Sequence, residues 1–264
     1  MNKKKLQYIF REKIIKIAYQ AQSSYAHIGS CLSCIDILIE VFLNQLKKGD
    51  KFVLSKGHAA LALYVILNHQ KKLSDNDLNT YLQENTLLGI HPSSLMPHDI
   101  PLATGSLGHG LSFSAGMALS HKMKNQKKDG HVYCLLSDGE CNEGAVWEAA
   151  LFSSRYKLDN LIAIIDKNRI QAFDRIEEAL GDAASPDKWL SFGFDVHECD
   201  GHALDGLKSV FNAAKNTQKG KPHMIIAHTC RGKGMKSIED DIKSNYVVID
   251  DKLLKQSLAE IKEL

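Results

Sequence analysis

Apolar residues recur at helical spacing in Leu6, Ile9, Ile14, Ile15 and Ala18, which predicts an amphipathic helix at the start of the chain. A second helix is expected over Ile35 to Leu46, beginning after Ser33. Lys51-Phe-Val-Leu54 has the pattern of a short strand, Ala59 to Asn68 that of a helix, and Asp75 to Leu82 that of another. The stretch from Leu88 to Gly110 is rich in Pro and Gly and carries His91, His98 and His109; loops of that length are often functional. Beyond it the periods alternate. His131 to Leu136 reads as a strand, Glu143 to Tyr156 as a helix and Leu161-Ile-Ala-Ile-Ile165 as a strand, which together make a βαβ unit. Phe194 to Glu198, Leu204 to Ala214 and Pro222 to Ala227 repeat the alternation, Asn216 to Gly220 is the expected exposed turn, and Asp251 to Leu264 is a short charged amphipathic helix. The expected fold class is α/β, a mostly parallel sheet with helices on both faces.

Composition narrows this to one large domain. The 264 residues, 44% of them hydrophobic, can bury one substantial core. A single domain over 1–264 is expected, with 1–50 an N-terminal helical region and 245–264 a C-terminal helical tail. The net charge of +2, from 33 basic and 31 acidic residues, gives no field arguing for nucleic acid or a membrane surface. The basic start leads into Leu6 to Ile17, which Gln7, Arg11, Glu12, Lys13 and Lys16 interrupt, so no signal-peptide apolar region is expected, and no later window approaches a membrane span. Cysteines at 31, 34, 134, 141, 199 and 230 are scattered through the elements, as in a reduced, cytoplasmic protein.

The sharpest chemical signal is Ser137-Asp138-Gly139-Glu140-Cys141-Asn142-Glu143-Gly144, at the end of one strand and the start of the next helix. Ligands bind at that edge of a doubly wound sheet. Asp138 offers a hard carboxylate oxygen, Gly139 lets the backbone approach a phosphate, and the helix N-terminus presents free N–H groups. The next strand ends at Asp166-Lys167-Asn168-Arg169-Ile170, which brings Asn168 to the same edge. Magnesium takes few protein ligands, completed by phosphate, water and sometimes a backbone carbonyl, here that of Ile170.

Asp-Gly, then Glu-Gly, then Asn about thirty residues on, resembles the thiamine diphosphate fingerprint, and the chain resembles the transketolase family over roughly residues 10 to 240. Tyr25-Ala-His27-Ile-Gly-Ser30 is similar to the family's early Ser-Gly-His segment, and Phe52-Val-Leu-Ser-Lys-Gly-His58-Ala to its first strand and histidine. Thr104-Gly-Ser-Leu-Gly-His-Gly110 resembles the glycine loop over the cofactor, and Arg231-Gly-Lys-Gly234 a later one. The resemblance implies a thiamine-diphosphate-binding fold in which Asp138, Asn168 and the Ile170 carbonyl bind magnesium and His58 and Gly139 contact the diphosphate. Gly105 and Leu107 lie beside the aminopyrimidine, and His27 and His91, with His58, serve catalysis. Glu143, counted with the cofactor-binding residues, belongs to an acidic network across the subunit contact, next to the glutamate that protonates the cofactor's pyrimidine. The glutamate that activates the pyrimidine is not found in this chain, so a second, pyrimidine-binding subunit is implied. Two such chains with two partners would form a heterotetramer that transfers a two-carbon ketol unit between sugars or sugar phosphates. The nearby alternatives are deoxyxylulose-phosphate synthesis, oxidation of a 2-oxoacid, acyl or ketol transfer in specialised sugar biosynthesis, and a non-catalytic regulator that keeps the fold.

Three departures from the family pattern stand out. Ser137 and Ala26 replace glycines, and Asn245 stands near where the family carries a histidine that helps bind diphosphate and ketose. This last change leaves the donor open. Among the simpler readings, Cys31-x-x-Cys34 lacks a second pair and reads as helix packing, and Arg231-Gly-Lys-Gly lacks the frame of a nucleotide phosphate loop. Lys124, Lys127 and Lys128 read as the solvated end of a helix. His98, His121, His131, His197, His202 and His223 read as structural, with His109 and His228 as candidate flanks of the site. Val146, Trp147 and Phe152 read as core or subunit contact, Trp147 favouring contact.

Overall fold

The computed structural model describes residues 2–93, 100–124, 130–172, 174–217 and 220–264. Its strands are β1 (Lys51–Leu54), β2 (Val132–Ser137), β3 (Leu161–Lys167), the small antiparallel pair β4 (Ile170–Gln171) and β5 (Asp174–Arg175), β6 (Asp195–Asp200) and β7 (His223–His228). The main sheet runs β1-β2-β3-β7-β6, every neighbouring pair parallel. Its helices are α1 (Lys3–Ala21), α2 (Ile28–Glu40), α3 (Ala60–His69), α4 (Asp75–Asn79), α5 (His109–Met123), α6 (Gly144–Arg155), α7 (Ile176–Ala179), α8 (Pro186–Ser191), α9 (Leu204–Asn216) and α10 (Asp251–Glu260).

Alternation along the strands sorts two cores. Phe52, Leu54, Tyr133, Leu135, Ile162, Ile164 and Ile225 face α1, α2, α3 and α9. Val53, Cys134, Leu136, Ala163, Ile165, Met224 and Ile226 face α5, α6 and α8. The sheet is therefore covered on both sides, which is why its inner strands are apolar throughout rather than alternating with polar residues. His98, Lys127 and Lys128 lie outside the described residues, as do Gln218 and Lys219 of the expected turn.

The second helix departs from the sequence expectation. It begins at Ile28, not after Ser33, because His27 adopts a left-handed conformation (φ 44°, ψ 43°) and its carbonyl accepts from Ser30 N and Cys31 N. All thirteen residues of α2 are buried, so no polar face marks its start. Contrary to the expectation that no window approaches a span, Ile28–Gln45 is long and apolar enough to cross a membrane by length and composition, but 89% of it is buried within the protein. It is a core helix. The element expected over Asp75 to Leu82 closes earlier, at Asn79, after a Ser74–Asp77 capping box. Helix α5 has no strong apolar stripe: its buried face is Gly110, Leu111, Ser114, Ala115 and Ala118.

One buried ion pair ties the N-terminal helices to the sheet end. Arg11 Nη1 donates to Asp36 Oδ1 at 2.9 Å, with Arg11 Nη2 on the other oxygen, and both side chains are buried. Gln7 Nε2 also donates to Asp36, and His202 Nδ1 lies 2.8 Å from its second oxygen. His202 Nε2 accepts from Cys230 N at 2.8 Å, which extends the network to the segment after β7.

Candidate functional site

The carboxyl ends of β1, β2, β3 and β7 gather the polar chemistry. Asp166, at the end of β3, is fully buried and pairs with Lys56 Nζ, which follows β1. Ser33 Oγ donates to Asp166 at 2.6 Å, Asn168 Nδ2 at 3.2 Å, and Thr229 Oγ1 also donates. Burial alone would raise this carboxyl; the Lys56 charge and these donors outweigh it and hold Asp166 below the usual carboxylate range. The pair fixes one charge on each of two strand tips.

Asp138 follows β2. It accepts from Arg169 N at 2.6 Å and from Gly139 N at 2.9 Å. Burial, followed by the Asp166 charge, pushes its carboxyl up to about 7 against those two hydrogen bonds. Asn168 Oδ1 accepts from Ile170 N at 3.1 Å. Arg231 Nη1 donates to the Ile170 carbonyl at 2.8 Å and approaches Asn168 Oδ1 at 3.4 Å. Burial lowers the Arg231 pKa, while Asp138 and Asp166 are the leading attractions on its charge.

Three imidazoles face the same space. The rings of His27 and His58 lie 5.7 Å apart, those of His27 and His91 6.5 Å apart, and Tyr246 is 5.6 Å from His27. Burial, helped by the charges around His91 and Arg231, lowers His27 to about 4. Burial and the Lys56 charge hold His58 well below the ordinary value, and burial lowers His91. Burial thus disfavours the charged form of all three rings.

Glycine loop 104–110 closes the site through contacts that exclude a side chain. A Cβ on Gly57 would lie 2.7 Å from the Thr104 carbonyl carbon, and one on Gly105 would lie 3.2 Å from the His91 ring. Buried Glu140 anchors the loop, accepting from Gly108 N at 2.8 Å, from Ser137 N at 3.2 Å and from Ser55 Oγ. Burial raises its carboxyl above the ordinary range.

Most of the expected site residues meet here. His27, His58, Gly105, Leu107, Gly139, Asn168 and Ile170 line one cleft of about 250 Å³. Asp138 is buried at its edge and His91 packs against Gly105. Glu143 stands apart, exposed at the N-cap of α6 with its Cβ against Gly108. Trp147 stacks on Trp189 and Phe192 and donates to the Cys141 carbonyl, so within the chain it serves packing. His228 pairs with Glu198 rather than entering the cleft. Sequence reasoning gave no role at the site to Lys56, Asp166, Glu140 or Arg231, although all four sit inside motifs it read. For Lys56 and Asp166 the available signal was charge at the tip of an apolar strand.

The residues fit a diphosphate held through a divalent ion. Asp138, Asn168 and the Ile170 carbonyl offer oxygen donors only, the hard set that magnesium takes. His27 Nδ1, Arg231 Nε and Asn245 Oδ1, on residues lining the cleft, are buried without a hydrogen-bond partner among the described residues. Such orphans call for a polar ligand.

The family model described as "Transketolase, thiamine diphosphate binding domain" matches residues 8–255. The chain belongs to the transketolase family. It is 37% identical over 262 residues to one subunit of the apulose-4-phosphate transketolase of Phocaeicola vulgatus, covering 96% of this chain and 91% of that one. It is 34% identical over 246 residues to a 6-deoxy-6-sulfo-D-fructose transketolase subunit of a Clostridium species, covering 90% and 88%. Among solved structures it resembles the transketolase of Campylobacter jejuni, with a TM-score of 0.80 and 26% identity, covering 95% of this chain and 43% of that one. The transketolase of Leishmania mexicana superposes with a TM-score of 0.83 at 23% identity, a likeness of fold, and covers 100% and 45%. The chain thus spans less than half the length of these two transketolases. The shared fold is the transketolase thiamine-diphosphate-binding fold, a mostly parallel sheet flanked by helices.

Proposed function

We propose that this chain is the diphosphate-binding subunit of a two-subunit transketolase that moves a two-carbon ketol unit from a ketose to an aldose. The observation that carries the reading is the oxygen-only set of Asp138, Asn168 and the Ile170 carbonyl beside three neutral imidazoles. Thiamine diphosphate, when bound, supplies a stabilised carbanion equivalent for breaking the carbon–carbon bond beside a ketone. Asp138, Asn168 and Ile170 would hold the magnesium ion, and His58 and Gly139 the diphosphate. Gly105 and Leu107 would flank the aminopyrimidine, with Glu143 at the subunit contact. His27 and His91, with His58, would take the proton from a sugar hydroxyl as the bond breaks and return one to the acceptor's carbonyl oxygen. Burial, which lowers the basicity of all three, favours the unprotonated form that the first step needs.

A pyrimidine-binding partner chain is part of the proposal. Two relatives, each named as one subunit of an apulose-4-phosphate transketolase, align over about nine-tenths of their length, and a helical face is available for the contact. Between α5 and α6 a shallow hollow is lined by Ala115, Gly116, Ala149 and Phe152, and Phe113, Leu151, Phe152 and Tyr156 are exposed around these helices. Two chains with two partners give a heterotetramer in the cytoplasm.

Asn245 lines the cleft and donates Nδ2 to the Ala172 carbonyl at 3.1 Å, and its Oδ1 has no partner among the described residues. A donor hydroxyl rather than a phosphate suits that acceptor. Ketoses of the kind named for the relatives, a branched ketose phosphate or a sulfonated ketose, are the first donors to test. The experiment is turnover by the chain co-expressed with its partner, with magnesium and thiamine diphosphate, against xylulose 5-phosphate, those two ketoses and pyruvate. Ketol transfer from any ketose supports the reading, and turnover of pyruvate alone contradicts it.

A further inference from the structure

At the amino end of the sheet, away from the cofactor cleft, Asp195, His197 and His223 form a second polar cluster. Asp195 opens β6 and His197 follows two residues later, so both project from one face. His223 opens β7 in register with Asp195, which places it beside them on that face. One nitrogen or oxygen from each residue lies within 4.8 Å of the others. Asp195 Oδ2 is 3.3 Å from His197 Nε2 and 3.4 Å from His223 Nδ1. All three atoms are buried, and among the described residues they have no partner beyond these long contacts with one another. His223 is itself only 1% exposed, so its Nδ1 is shut off from solvent.

Three polar atoms converge here with only long contacts to one another, and a bound ion would satisfy all three at once. Metal–ligand bonds of about 2.0–2.1 Å place tetrahedral ligand atoms roughly 3.3–3.4 Å apart, which matches the two measured separations. Two imidazoles and one carboxylate suit zinc and its neighbours rather than magnesium or calcium, which prefer oxygen.

We propose that Asp195, His197 and His223 bind one divalent transition-metal ion of the zinc class. Water completes the tetrahedron on the open side, where Asp195 and His197 are 29% and 18% exposed. The ion links edge strand β6 to β7. It lies about 17 Å from the cofactor end of the same strands, taking roughly 3.3 Å per residue. Its role is therefore structural and independent of the diphosphate site.

The test uses the purified chain, stripped with a chelator and titrated separately with zinc chloride and cobalt chloride. The expected result is one equivalent of zinc per chain, the strong visible absorption of four-coordinate cobalt, and a rise in Tm of about 5 °C or more on saturation with zinc. His197→Ala and the isosteric Asp195→Asn are each expected to weaken zinc binding more than tenfold and to abolish most of the Tm gain, with far-UV circular dichroism retained. Asp138→Ala should leave zinc binding unchanged. No stoichiometric binding, or binding that survives both substitutions at Asp195 and His197, would overturn the proposal.

Discussion

Arg231 Nη1 donates to the Ile170 carbonyl oxygen at 2.8 Å and lies 3.4 Å from Asn168 Oδ1, so one guanidinium holds two of the three oxygens proposed for magnesium. A fixed cation thus balances the buried carboxylates at the strand tips. Removing it in Arg231→Ala leaves the Ile170 carbonyl unpaired and is expected to cost the ligand-free protein about 1–3 kcal/mol. Magnesium with thiamine diphosphate restores a cation there and should narrow the gap. Thermal melts of both proteins with and without the ligands check this; a gap of equal width in both conditions contradicts it.

Asp138 gives a pH dependence. Its folded pKa, raised to about 7 by burial and by Asp166, lies above the ordinary value of 3.8. Ionising it therefore works against the ligand-free fold: its stabilising contribution is complete below about pH 4 and is lost as pH rises through 7. A divalent ion must displace the proton, so magnesium affinity should fall about tenfold per unit as pH drops below 7. Calorimetry between pH 8 and pH 6 measures the slope, and a flat profile argues against Asp138 as a ligand.

The His27 ring lies near those of His58 and His91, and burial lowers its pKa to about 4. His27→Asn in the assembled enzyme is expected to lower kcat by about 10²–10⁴ while cofactor affinity changes little. Steady-state kinetics beside equilibrium binding separates the two effects. Equal losses in both would make His27 a binding residue only.

The Arg11–Asp36 pair is a stability device rather than a catalytic one. Burial would raise the Asp36 carboxyl, but Arg11 and His202 overcome it and hold it at about 2. The folded value is depressed, so the contribution is present above about pH 4 and lost as pH falls toward 2. Asp36→Ala strands a buried guanidinium and should cost about 3–5 kcal/mol in urea unfolding at pH 7. A loss under 1 kcal/mol would contradict this account.

Much of the fold was legible in periodicity. The strands at Lys51–Leu54, Val132–Ser137 and Leu161–Lys167 lie within a residue or two of where the apolar runs place them, because strands covered on both faces leave unbroken hydrophobic stretches. The start of α2 was not legible, since a helix buried on every side carries no polar face, and α5 hides behind a buried face of mostly small residues. For the site, the spacing from Asp138 to Asn168 placed residues on adjacent strand tips in register, Ser137 opposite Asp166. The Lys56–Asp166 pair escaped notice because its partners are 110 residues apart and meet only through the β1-β2-β3 order.

The most direct test of the central claim is magnesium-dependent binding of thiamine diphosphate to the chain assembled with its partner, for the native protein and for Asp138→Ala. The account predicts saturable binding that chelation of magnesium abolishes and that the substitution weakens at least about 100-fold, with the assembly intact. Cofactor binding that is indifferent both to magnesium and to the loss of the Asp138 carboxylate would contradict it.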